Sequence, residues 1–121
     1  MATILCDIDG TITAAPLQFS NLLGALQAQG NYIAIVSGSN PDSPSGATWQ
    51  DKANYLQAHG VTDCWDILVV VSGDIPAAKA QWCIDNGVSV AIDNNVQNAK
   101  AMVAANVPLV LVPWATKEKT V

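Results

Sequence analysis

Five short apolar, β-branched runs punctuate the chain, at Thr3 to Asp7, Tyr32 to Ser37, Ile67 to Val71, Val88 to Asp93 and Leu109 to Val112. Strands that are apolar on both sides need cover on both faces of their sheet. Between them lie longer stretches with helical period, so the alternation predicts an α/β fold: a central parallel sheet of about five strands in a three-layer sandwich. The helices are expected at Leu17 to Gln29, Ala47 to His59, Pro76 to Asp85 and Val96 to Ala105. Leu22, Leu23 and Leu26 form one stripe of the first, and Gly30 and Gly60 stand where helices end. Pro76 suits a first helical turn.

The chain has 121 residues, and at ~150 residues per average domain residues 1-121 are read as one domain. Half of the residues are apolar and 12% are charged, which excludes disorder. The net charge of -5 argues against general attraction to a nucleic-acid backbone. The apolar runs fall far below the ~20 residues that span a bilayer, and no basic-then-apolar signal opens the chain, so no membrane partner is expected. Cys6, Cys64 and Cys83 are odd in number and lack CxxC spacing. They read as small apolar side chains in a reduced, cytoplasmic protein.

Chemistry concentrates at Asp7-Ile8-Asp9-Gly10-Thr11. Residues two apart in an extended chain point the same way, so Asp7 and Asp9 are expected to converge at the carboxyl end of the first strand, where open parallel sheets bind ligands. Paired carboxylates repel unless a cation lies between them or one keeps its proton. Either outcome is useful, as an oxygen-rich Mg²⁺ site or as a nucleophile beside a general acid/base. Gly10 permits a sharp exit and Thr11 a hydrogen bond back. A chance Asp-x-Asp-Gly-Thr arises in about one in a thousand chains of this length.

This string resembles the first motif of the haloacid dehalogenase-like (HAD) phosphohydrolases. Ser37 in Ile33-Ala34-Ile35-Val36-Ser37-Gly38, Lys79 in Pro76-Ala77-Ala78-Lys79, and Asp93 in Val90-Ala91-Ile92-Asp93-Asn94-Asn95 stand in that family's order. The resemblance implies a HAD-like Rossmannoid fold and a Mg²⁺-dependent phosphomonoester phosphatase. Asp7 would be the nucleophile forming an aspartyl-phosphate, and Asp9 the general acid/base. Ser37 and Lys79 would stabilise the phosphoryl oxygens, with Thr11 and Gly38 among the substrate-binding residues. The metal would be held by Asp7, Asp9, Asp93 and Asn94.

Two departures stand out. Asn94 follows Asp93 where relatives commonly carry a second acid, and Thr11 to Leu17 leaves no space for a cap domain. Among uncapped members the likeness runs toward the 3′-phosphatase domain of polynucleotide kinase, through Ala47-Thr48, Tyr55 to Val61 and Asp66-Ile67-Leu68, with Ser39 where those relatives carry arginine. The implied partner is a small phosphorylated metabolite or mononucleotide, a 3′-phosphorylated end being the one nucleic-acid alternative, and the implied assembly is a monomer or small homo-oligomer. Trp49 and Trp114 lie nearest to the site-edge loops, and His59 reads as a helix-end residue. Two rival functions are a degenerate HAD fold that binds metal or phosphate, and a signalling receiver domain. The receiver places its acceptor aspartate on the third strand, which here ends Val71-Ser72-Gly73.

Overall fold

The computed structural model describes residues 1–111. The chain runs β1 (Thr3–Cys6), a 3-10 turn (Ile12–Ala14), α1 (Pro16–Ala28), β2 (Tyr32–Gly38), α2 (Trp49–Ala58), β3 (Ile67–Val71), α3 (Ile75–Asn86), β4 (Val90–Asp93), α4 (Val96–Ala104) and β5 (Leu109–Leu111). Four strands of four to seven residues carry the sheet, and the three-residue β5 adds an edge. All pairings are parallel, in the order β3-β2-β1-β4-β5. The expected α/β class and covered parallel sheet are thus present. The sheet is a Rossmann-like one, and nothing in its topology is particular to the phosphohydrolase family named above. Val112, Trp114 and the 117–119 charge cluster lie outside the described residues.

Strand parity divides the core. Ile4 and Cys6 with Ile33 and Ile35 face Phe19 and Leu23 of α1 and Leu56 of α2, while Leu5, Ala34 and Val36 face Ala80 and Cys83 of α3 and Met102 of α4. Burying each large aliphatic side chain contributes ~1.5–3 kcal/mol, so both faces hold the sheet. Neighbouring residues on one strand therefore address opposite helical layers.

Local chemistry sets the helix ends. Thr48 and Asp51 form a capping box at α2, Asp74 caps α3, and Asn95 caps α4. Gly87 closes α3 in the left-handed conformation, φ 62°. Val88 was expected in the fourth strand, but its N–H bonds back to the carbonyl of Cys83. The helix terminus claims it, and β4 starts at Val90. All three cysteines are free and buried. Among the described residues no helix is long and apolar enough to cross a membrane.

Candidate functional site

From β1 the chain winds outward through β2 and β3, then returns to place β4 on the other side of β1. The β1/β4 boundary is therefore the switch point of the sheet, and a crevice opens beyond the carboxyl ends of its strands. A cleft of about 270 Å³ occupies it, lined by Asp7, Asp9, Ser37, Gly38 and Lys79 together with Asn40, Ser43, Ile75, Pro76 and four amides of the 94–98 segment.

The carboxylates of Asp7 and Asp9 line one cleft but take different partners. Chain direction breaks after Cys6, where β1 ends, and the turn closes through the Thr11 and Thr13 N–H groups on the carbonyl of Ile8. Asp7 keeps strand parity and faces α3, where the Lys79 ammonium donates to Asp7 Oδ1 at 2.6 Å and to Asp93 Oδ2 at 2.9 Å. Asp9 instead turns to α2. Its Oδ2 accepts from Lys52 Nζ at 3.3 Å, Ser45 Oγ at 2.8 Å and Ser37 Oγ at 3.2 Å, while Oδ1 accepts from the Ser45 N–H at 2.9 Å. Lys52 also donates to the Gly46 carbonyl at 2.6 Å, tying the 40–46 loop to β1.

Both lysines are buried, 0% and 1% exposed. An ammonium removed from water is tolerated only with close counter-charges and its protons shared among acceptors, and each of these has them. Three carboxylates thus meet two ammoniums. Burial, outweighing the attraction of Lys79, pushes Asp7 up from 3.8 to about 7, so the triad of Asp7, Lys79 and Asp93 retains a proton near neutrality. The same two carboxylates hold Lys79 above its ordinary value, overriding its desolvation. Burial also raises the thiols of Cys6 and Cys83, the latter to about 11. These cysteines stay protonated and serve as packing.

Asp93 is wholly buried and accepts further from Asn98 Nδ2 at 3.1 Å and from the Asn95 N–H at 2.9 Å. Asn94 crosses from β4 to the β1 turn, its amide nitrogen donating to the Asp9 carbonyl at 2.9 Å, Asp7 Oδ2 at 3.0 Å and Thr11 Oγ1 at 3.2 Å. This crossing explains Gly10. Its φ is +85°, and a Cβ there would collide with the Asn94 amide.

Asp7, Asp9, Ser37, Gly38, Lys79 and Asn94 therefore share one cleft, with Asp93 buried behind it. Thr11, 0% exposed, braces Asp7 at 3.4 Å and is absent from the lining, so its expected substrate contact is corrected. Trp49 also lies outside the lining, because its indole N–H is drawn to the Leu68 carbonyl at 2.9 Å. His59 ends α2, stacked on Tyr55. Lys52 escaped the sequence reading, although a cation on the apolar spacing Trp49, Lys52, Ala53 and Leu56 was a visible signal that something acidic waits inside.

The expected Mg²⁺ site fails a test of fit. Among the described residues no group of three or more His, Cys, Asp or Glu side chains is placed to hold a metal ion. Between Asp7 and Asp93 the Lys79 ammonium supplies the charge that a cation was expected to supply, and Asn94 uses its amide as a donor. Ser37 Oγ donates to Asp9, whose Oδ2 is shared with Lys52 and Ser45.

No family model matches the chain, and no curated protein matches it. Among solved structures it is similar to a universal stress protein in complex with cAMP, at 15% identity and TM-score 0.54, over 92% of this chain and 95% of that one. This likeness is one of fold. It stands in place of the expected haloacid dehalogenase-like family, and the Mg²⁺-dependent phosphatase with its aspartyl-phosphate, which rested on that family, is set aside with it; the degenerate and receiver-type rivals gain no support either. The motif match misled for a physical reason: any doubly wound sheet gathers polar residues at its strand ends, and here those residues neutralise one another. What the comparisons show is a Rossmann-like α/β chain.

Proposed function

We propose that this chain is a small-ligand-binding domain whose switch-point cleft takes a nucleotide-class molecule without transforming it. The observation that carries the reading is the cleft itself. Its charged side chains are paired with one another and the Ser43 hydroxyl is donated to the Asn40 and Gly46 carbonyls, which leaves the side-chain N–H groups of Asn40 and Asn95, the amide of Gln97 and the apolar wall of Ile75 and Pro76 to face a guest. An apolar wall with a few convergent hydrogen-bonding groups suits a flat ring carrying hydroxyls. The structure of similar fold is described in complex with cAMP, which supports the choice of class. The buried free thiols suit a reduced compartment such as the cytoplasm.

Thermal unfolding with adenosine, cAMP, AMP and ATP tests the reading. A ligand at a hundredfold excess over its Kd stabilises by about 2.7 kcal/mol, which is about 10 °C for a chain of 121 residues. The exposed Gln97→Ala should reduce the shift without lowering the unliganded midpoint. If no member of the panel moves the midpoint at millimolar concentration, and calorimetry shows no heat, the reading is wrong.

A further inference from the structure

Every cation of this chain is a lysine, for it contains no arginine. Of the three lysines in the described residues, Lys100 is exposed and does not line the cleft. Lys52 and Lys79 are buried and lie 2.6–3.3 Å from carboxylate oxygens. Among the described residues a guest in the cleft therefore meets no unpaired ammonium. It does meet the carboxyl groups of Asp7 and Asp9, which line the wall, and above neutrality, once Asp7 has given up its proton, the cluster's three carboxylates outnumber its two ammoniums.

At the helix termini part of the positive end is already spent. At α3 the cap is the carboxylate of Asp74, which takes the Ala77 N–H at 3.3 Å, and Pro76 has no N–H to offer. At α4 the Asn95 side chain takes the Asn98 N–H, and the Asp93 carboxylate takes the Asn95 N–H. A polyphosphate bound here would exchange its hydration for neutral amides beside a negative wall.

We propose that the cleft selects the low-charge members of the nucleotide class, holding ring and hydroxyls and rejecting polyphosphates; this deepens the reading above and rests on it. Ile75 and Pro76 receive the ring, while the side-chain N–H groups of Asn40 and Asn95 and the amide of Gln97 read the hydroxyls and at most one phosphate. Each further negative charge weakens binding on the order of threefold through the screened repulsion of Asp7 and Asp9. That gap closes once a cation is placed at the rim.

Calorimetric titration of adenosine, cAMP, AMP, ADP and ATP, at one ionic strength and with chelator present, tests this. Kd should rise with ligand charge, ATP binding at least tenfold more weakly than cAMP. Gln97→Lys, on the exposed first turn of α4, should bring that ratio below about threefold. Triphosphate binding as tight as, or tighter than, that of cAMP overturns the selection and leaves the nucleotide reading standing. Absence of binding by all five ligands overturns both.

Discussion

Replacing Lys79 with methionine isolates the charge at the centre of the cleft. The thioether chain keeps most of the lysine stem's volume, so the interior stays filled and the loss reports the ammonium alone. What remains is Asp7 and Asp93, deprived of the group that donates to them at 2.6 and 2.9 Å. Removing one member of a buried ion pair costs about 3–5 kcal/mol. For 121 residues the unfolding entropy is about 0.25 kcal/mol/K near the midpoint, so Lys79→Met should melt roughly 12–20 °C lower. The assay is circular dichroism melting at pH 5 and pH 7.5. The loss should be smaller at pH 5, where Asp7 takes up a proton, and adding Asp7→Asn should restore part of it, with a coupling above about 1 kcal/mol. A loss under 1 kcal/mol at pH 7.5, or one that grows on acidification, would refute the view of Lys79 as a buried counter-ion.

Asp7 has a folded pKa of about 7 against 3.8 unfolded. Its contribution is therefore full below pH 3.8 and is lost as pH rises through 7, amounting to at most about 4 kcal/mol. Asp7→Asn, which leaves Lys79 paired with Asp93, should gain on the wild type between pH 5 and pH 8 in parallel melts, and a gap that does not vary with pH contradicts this. Gly10→Ala combines a positive φ with a collision at Asn94 and should cost on the order of 1–3 kcal/mol in urea unfolding; an unchanged midpoint speaks against that contact. Millimolar Mg²⁺ should leave the wild-type melting midpoint in place, because Lys79 occupies the gap between Asp7 and Asp93. A saturable rise with Mg²⁺ would reinstate a metal site.

Much of the fold was legible because local signals agreed with tertiary need. The β-branched runs at Tyr32 and Ile67 and the helix-opening Pro76 each specify what the packed sheet also requires. Placement of the site was legible as well, since Asp7, Ser37, Lys79 and Asn94 all reach the switch-point cleft. Its chemistry was not. Extended-chain parity put Asp7 and Asp9 at one strand end, where both line the cleft, but it carried no sign of the different lysines that the turn after Cys6 gives them. Pairing across 43 and 72 residues leaves no local trace: a lysine that neutralises an aspartate and one that awaits an anion are the same letter.

Burial of Lys52 and Lys79 also gives the protein an internal clock for its own opening. An amine-acylating reagent needs a free, solvent-exposed amine, which neither lysine offers while α2 and α3 stay docked. The exposed Lys100 is open to reagent throughout and calibrates the reaction in the same tube. The delay of Lys52 and Lys79 relative to Lys100 thus times two separate events, release of the 40–46 loop with α2 and separation of α3 from the sheet. Peptide mapping would then show whether the two helical layers breathe together or independently.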